Sequence, residues 1–356
     1  MKILFVFYVP SGGLETLNRQ RRAALKDHQC EFLYYRQERS LINDHGAPVY
    51  ITNEDGQIKQ ILDEGNYDLV VVTSDVGTMP RFRKLGYKGK FIYEIQGFGA
   101  KDYARRVLTH AKPIIVQHAN GLLTPRTPYV MEIFTDLFPT IPKYNFNNCL
   151  DWTMYAYKPL PKHPRPIIGW IGRIEDNKNW SEFLKIGQRL SQDHPAIELY
   201  LFEDPTLSTA AEREKFQALI KELNVENHLT IFENVPNSEM RDYFSKIGDS
   251  GGFFCMTSKT EGAPYSPLEA MASRCPVLTT DCYGVRTAVI HDQTGKYYQI
   301  GNIDDAVKQA KELMDNLPLR EKIRQQALTH VQTNFSLERY HMNFSIMLQS
   351  LGLGKN

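Results

Sequence analysis

The sequence predicts an α/β protein built from two doubly wound, Rossmann-like halves, and three observations predict it. At 356 residues the chain exceeds one ordinary domain and suits two of about 150 to 200 residues each. Short apolar runs rich in valine, isoleucine and aromatic residues alternate with segments of helical spacing, the pattern of parallel strands covered by helices. That alternation stops at a proline-rich stretch and then restarts.

In the first half, ILFVFYV from Ile3, YDLVVV ending at Val72, KFIYEI ending at Ile95 and PIIVQH ending at His118 each have strand length. Their near-continuous apolar character is that of strands buried on both faces. Residues 17–25 and 58–62 carry helical spacing between them. KPLPKHPRP, residues 158–166, places four prolines in nine positions. Such a run is denied helix and central strand and reads as a stiff, extended connector, so the domain boundary is expected near 160. Beyond it come IIGWIG from Ile167, a helix over about 180–191, IELYLF from Ile197, a helix over 210–223, LTIF from Leu229, GFFCM from Gly252, a helix over 267–272 and PVLTT from Pro276. Residues 303–332 and 337–350 look helical. The expected division is therefore 1–160, 161–335 and a closing helix within 336–356.

Lys and Arg number 42 against 41 Asp and Glu, a formal charge of +1. No global field recruits nucleic acid, although a balanced total leaves room for a modest basic face and a peripheral contact with a membrane surface. The opening MKILFVFYVP is followed by no small-residue cleavage site, and no run approaches the roughly 20 apolar residues of a membrane span. The five cysteines (30, 149, 255, 275 and 282) are odd in number and scattered. They read as reduced thiols of a cytoplasmic protein.

Three segments carry chemistry. Gly12 and Gly13 follow the first strand and precede a helix, where backbone is able to approach a phosphate closely; a plain tight turn reads equally from these two residues. In GWIGRIEDNKNW, Arg173 and Lys178 are two cations five apart at the end of the second half's first strand, placed to straddle a diphosphate, or else simply solvated. In TEGAPYSPLEAMASRCPVLTT, Ser266 and Pro267 read as N-cap and first residue of a helix. Glu269 then completes a capping box with Ser266. Glu261, in the preceding loop, has no such local explanation.

In this order, GGLE, GRIEDNKN and EGAPYSPLE resemble the retaining glycosyltransferases of the GT-B fold, family four (group 1 glycosyl transferases). NNCLD from Asn147 and YGVRTAVIHDQTGKYY from Tyr283 extend the resemblance over essentially the whole chain. It implies two Rossmann-like domains facing each other across a cleft, with acceptor binding in 1–160 and nucleotide-sugar binding in 161–335. The closing helix would return to the first domain, as it does in relatives. The resemblance further implies that Gly12 and Gly13 face donor and acceptor, and that Arg173 and Lys178 bind the donor diphosphate. Glu261 would bond the donor sugar, with Ala263, Tyr265, Ser266 and Leu268 lining sugar and phosphate. Glu269 would hold the ribose hydroxyls, and Val235 the nucleobase.

Departures are visible. Gln96 and Gly97 stand where many relatives carry histidine and glycine, and a glutamine cannot act as a general base. His118, read as a strand end, is the remaining weak candidate for the sugar or acceptor pocket. Pro264 lacks a backbone donor, and LYLFEDP replaces a glycine-rich turn. No DxD triplet occurs in the chain, which favours a metal-independent site with no cofactor beyond the nucleotide-sugar co-substrate. The implied function is transfer of a hexose-type sugar, with UDP as the favoured carrier, to a saccharide, lipid-linked or surface acceptor of the cell envelope or a polysaccharide, in the cytoplasm or at the inner membrane face. A sugar-nucleotide epimerase, a phosphorylase and an inactive sugar-nucleotide-binding protein are the alternatives on the same fold. Donor sugar, acceptor and oligomeric state are not encoded legibly.

Overall fold

The computed structural model describes residues 1–37, 40–41 and 43–354. It divides into two compact units, Met1–Asp151 with Phe335–Asn356, and Trp152–Asn334.

Unit 1 is a seven-stranded parallel sheet of β1 (Lys2–Phe7), β2 (Gln29–Tyr34), β3 (Val49–Ile51), β4 (Leu69–Thr73), β5 (Lys90–Glu94), β6 (Gly121–Thr124) and β7 (Lys143–Asn145), in the order β3-β2-β1-β4-β5-β6-β7. Helices α1 (Gly12–Ala24), α2 (Asp55–Gly65), α3 (Thr78–Lys84), α4 (Lys101–His118) and α5 (Pro128–Leu137) connect the strands. Successive side chains of a strand point to opposite faces, and both faces are apolar: Leu4 and Val6 pack with Val70, Val72 and Phe134, whereas Ile3 and Phe5 pack with Phe32, Val71 and Ile92.

Unit 2 begins at Trp152 and contains β8 (Ile167–Ile171), α6 (Trp180–Asp193), β9 (Glu198–Glu203), α7 (Ala210–Leu223), β10 (Leu229–Glu233), α8 (Met240–Asp249), β11 (Phe253–Met256), α9 (Ser266–Ala272), β12 (Val277–Thr280), β13 (Lys296–Tyr298), α10 (Ile303–Asp315) and α11 (Leu317–Asn334). Its six strands are parallel in the order β10-β9-β8-β11-β12-β13. The last helix, α12 (Leu337–Ser350), is part of unit 1, where Tyr340, Phe344, Met347 and Leu348 join the face of Ile3, Phe5 and Phe32. Each fully buried aliphatic or aromatic side chain is worth roughly 1.5–3 kcal/mol, so this contact holds the chain end firmly.

Several expectations are corrected. Residues 113–118 are not a strand but the last turns of α4, in which Ala104, Leu108, Ala111 and Ile115 form the buried stripe. That 3.6-residue period outweighs the strand-like composition of PIIVQH, and the strand proper follows at Gly121. The proline-rich stretch is indeed without helix or strand, but it lies inside unit 2. The Lys158 backbone N–H donates to Ser245 (3.1 Å), Lys158 Nζ pairs with Asp242 (2.5 Å), and the Tyr157 hydroxyl donates to Asp249 (2.7 Å), all on α8. These bonds dock it onto unit 2 where the composition alone predicted a stiff, extended connector between domains. The helix expected over 303–332 is broken at Asn316 into α10 and α11.

Among the described residues no helix is long and apolar enough to cross a membrane. All five cysteines are free and buried; burial pushes the Cys30 and Cys282 thiols up to about 11 and Cys275 to about 12.

Candidate functional site

In an open parallel sheet the ligand crevice lies at the carboxyl ends of strands where the order reverses. In unit 2 that point falls between β8 and β11, which are hydrogen-bonded neighbours. The two loops leaving these strands carry Arg173 and Lys178 on one side and Glu261 on the other.

The loops are laced together. The Trp170 indole donates to Thr257 Oγ1 (2.9 Å), and that hydroxyl faces the carbonyls of Lys178 and Asn179 at 2.9 Å each. Asn177 Nδ2 donates to the Thr260 carbonyl (3.1 Å), Thr260 Oγ1 donates back to Asn177 Oδ1 (2.9 Å), and the Lys259 N–H reaches the Asn177 carbonyl (2.8 Å). This lattice brings Lys178 Nζ to 2.6 Å from Glu261 Oε1, with 27% and 13% of the side chains exposed. Arg173 is not in this pair; its guanidinium lies 3.7 Å from Glu175 and is 44% exposed. A third loop braces Glu261, whose N–H donates to the Tyr283 carbonyl (3.3 Å). Gly284 has φ +86°, and a Cβ there would fall 2.2 Å from the carbonyl oxygens of Glu261 and Gly262. Only glycine permits this approach.

α9 starts differently from the expectation. Tyr265 is its N-cap and Ser266 its first residue, with no side-chain cap, so the Ser266–Glu269 capping box does not form. Pro267 at the second position offers no N–H, and the helix is continued instead by the Glu269 N–H bonding the Tyr265 carbonyl (3.0 Å). The Glu269 side chain is buried, 3.5 Å from Asn237 Nδ2. Asn237 belongs to the turn after β10 that also carries Val235, and the Tyr155 hydroxyl donates to its Oδ1. Val235, Ala263 and Ser266 are half-buried, whereas Tyr265 and Leu268 are buried. The structure thus gathers Lys178 with Glu261, and Glu269 with the β10 turn.

In unit 1 the reversal lies between β1 and β4. Gly12 opens α1 with φ +67°, and both Gly12 and Gly13 are exposed, with open space above Gly13. Gln96, after β5, is committed to a buried network. Its Nε2 donates to Glu94 Oε1 (2.8 Å) and its Oε1 accepts from Asn148 (2.7 Å). Glu94 in turn accepts from Thr73 Oγ1 (2.7 Å) and from both terminal nitrogens of Arg21 (2.8 and 3.3 Å), whose guanidinium lies 4.5 Å from the Phe5 ring centroid. Gly97 is exposed beside this network. His118 is not a strand end: as the last residue of α4, just before β6 starts, it lies at the amino-terminal ends of the strands, whereas Gln96 follows the carboxyl end of β5. Burial and then Arg83 push its imidazole below the usual value.

Sequence reasoning missed the lacing residues Asn177, Thr257 and Thr260, the brace at Gly284, and the Arg21–Glu94 pair. For the last a signal existed, since Glu94 interrupts an apolar strand and Arg21 lies four residues after Leu17 on the buried side of α1. The resemblance also implies that loops of the first half, roughly 35–51 and 97–106, recognise the acceptor; of these, residues 38, 39 and 42 lie outside the described residues.

Two doubly wound parallel sheets on one chain, each with loops converging at its order reversal, define the GT-B architecture. Residues 156–330, nearly half of the chain, match the model of the family Glycosyl transferases group 1. Over 179 residues the chain is 26% identical to an uncharacterised glycosyltransferase of Haemophilus influenzae, covering 49% of this chain and 48% of that protein. Over 192 residues it is 23% identical to the lipopolysaccharide core biosynthesis mannosyltransferase LpcC of Rhizobium leguminosarum, covering 54% and 53%. The chain therefore spans about half the length of the curated relatives it matches. Whole-chain likeness comes from solved structures: sucrose-phosphate synthase from Thermosynechococcus elongatus (TM-score 0.81, 15% identity, 99% of both chains) and Anabaena HepE in complex with UDP-glucose (TM-score 0.82, 16% identity, 98% and 100%).

Proposed function

We propose that this protein is a retaining glycosyltransferase of family four that moves a hexose-type sugar from a nucleotide donor, UDP-linked by preference, to a saccharide or other cell-envelope acceptor. The observation that carries this reading is the Lys178–Glu261 pair, 2.6 Å apart, at the strand-order reversal of the unit that matches the glycosyl transferase family. HepE is solved with UDP-glucose and LpcC is named a mannosyltransferase, which supports a nucleotide-sugar donor and an envelope acceptor.

Breaking the anomeric bond puts negative charge on the departing diphosphate and positive charge on the ring. Lys178 and Arg173 would receive the diphosphate, with the first turn of α9 adding the positive end of its peptide dipoles. Glu261 would accept hydroxyl hydrogens of the donor sugar and hold Lys178 in place until the phosphate arrives. Glu269 would bind the ribose, and the backbone near Val235 the base. Two fixed cations supply the charge that a divalent ion would otherwise provide, so the reaction is assigned as metal-independent. In the retaining course the acceptor oxygen bonds the anomeric carbon from the face the diphosphate leaves, and the acceptor proton passes to a diphosphate oxygen. Unit 1, with the open backbone at Gly12, Gly13 and Gly97, would recognise the acceptor, the network behind Gln96 serving to position that loop.

Thermal unfolding with UDP-, GDP- and ADP-sugars tests this directly. A ligand at 100 times its Kd adds about 2.7 kcal/mol to the native state, so a UDP-sugar should raise Tm by several degrees without added metal. No shift with any nucleotide sugar, or a shift only with a divalent ion present, overturns the reading.

A further inference from the structure

The carboxyl ends of β12 and β13 open onto a second cleft in unit 2, about 850 Å³ in volume, within the range of roughly 300–1,000 Å³ typical of small-molecule sites. It lies on the other side of the loop that braces Glu261. Tyr283 and Gly284 face Glu261, while Asp281 and Arg286, flanking that turn, line the cleft.

One wall is an aromatic plane. The His291 and Tyr297 rings stack with centroids 5.6 Å apart and 24° between planes. The plane is locked, because the Tyr297 N–H donates to His291 Nδ1 (2.8 Å) and the Tyr297 hydroxyl donates to the Val289 carbonyl. With Nδ1 accepting, Nε2 is left as the ring's donor. Beside Ile290, Tyr298 and Ile300, the rest of the lining is planar polar groups that hold one another. Asp281 receives both Nε and a terminal nitrogen of Arg286 at 2.7 Å each, and Asp305 receives the Gln299 N–H (3.1 Å) and the Gln309 amide (3.2 Å).

We propose that this cleft is a carbohydrate-binding subsite that holds a neutral saccharide chain away from the sugar being transferred. A pyranose offers an apolar C–H face to an aromatic plane and a rim of hydroxyls that both donate and accept. The stacked His291 and Tyr297 rings supply the plane, and two carboxylates, two amides and a guanidinium supply the rim, each carboxylate oxygen keeping lone pairs beyond the bonds it already accepts. Two carboxylates against one guanidinium make the cleft a poor host for phosphate or another anion. Retention of a glycan between transfers, by raising its effective concentration, would follow; that consequence alone rests on the activity proposed above.

The test is calorimetry and saturation-transfer NMR of the full chain in excess UDP, with maltotriose, cellotriose and N,N′,N″-triacetylchitotriose as probes. At least one trisaccharide should bind with Kd of about 10 mM or tighter. Tyr297→Ala and Arg286→Ala should each weaken it at least about tenfold, and Lys178→Ala should leave it unchanged. Arg286 is 71% exposed, so its variant keeps the test open if Tyr297→Ala misfolds. No saturable binding by any probe, binding indifferent to both cleft variants, or binding lost in Lys178→Ala overturns the assignment. Saccharide binding without any UDP binding would instead defeat the transferase reading and leave the cleft standing.

Discussion

The two units bear polar groups at the same structural position, the carboxyl ends of their strands, yet treat them in opposite ways. In unit 1, Arg21 and Glu94 are 0% and 1% exposed; both terminal nitrogens of Arg21 bond Glu94, which also accepts from Thr73 and Gln96. In unit 2, Arg173 faces solvent and Lys178 is still part-exposed while paired with Glu261. A buried, paired charge can hold a loop but cannot exchange partners, because breaking the pair leaves a bare charge in a low dielectric. A part-exposed pair gives up its partner cheaply. The comparison teaches that the unit 1 pair is built to hold a loop in place, whereas the unit 2 pair is able to exchange partners.

The largest effect should come from breaking the buried pair. Glu94→Ala strands Arg21 without its counter-charge and should cost about 3–5 kcal/mol of stability, seen as a lowered denaturant midpoint; a loss below about 1 kcal/mol would erase the distinction between the units. Next comes Lys178→Ala. Loss of one charge-stabilising donor typically lowers kcat by about 100- to 1,000-fold, whereas removal of one partner of a part-exposed ion pair should move stability by at most about 1 kcal/mol. Turnover assays beside chemical denaturation separate the two, and a variant that lost stability and kept turnover would make Lys178 a structural residue.

The smallest effect concerns pH. His45 in unit 1 is buried against Tyr34, with Nε2 3.1 Å from its hydroxyl. Burial pushes its imidazole below the usual value; Glu15 opposes and Arg19 assists that shift. The unfolded chain therefore takes up a proton near its ordinary pKa of about 6.5, while the folded chain refuses it until lower pH. Stability from this group is whole above the unfolded pKa and declines as pH falls toward the folded value, by at most about 1.4 kcal/mol per pH unit for one proton. His45→Gln should flatten the stability curve in that window, and an unchanged slope would remove His45 from the accounting.

Strand runs such as YDLVVV and GFFCM were legible because parallel strands buried on both faces leave an unbroken apolar signature. β2 was passed over because the glutamate in CEFLYY interrupts that signature, and Glu31 is stabilised by Lys2, Tyr50 and Tyr67, which the fold brings from elsewhere. PIIVQH misled for the converse reason, since three consecutive β-branched residues imitate a strand, whereas in α4 Ile115 is buried and Val116 is exposed. The candidate donor residues were recognisable by their order along the chain. The false capping box shows the limit: Ser266 and Glu269 have the right spacing, but the backbone of Tyr265 takes the cap position.

The sequence by itself determined the doubly wound character of both halves and the segments that carry Lys178, Glu261 and Glu269, because strand and helix periods and local loop chemistry are short-range properties. Only the tertiary structure decided that Lys178 meets Glu261, that Gln96 is held by Glu94 and Asn148, that α12 belongs to unit 1, and that His118 stands at the amino-terminal end of the strands. Those outcomes depend on strand order and on contacts between residues up to hundreds of positions apart. No local propensity encodes them; they appear when the folded chain must satisfy every buried charge and fill both faces of each sheet.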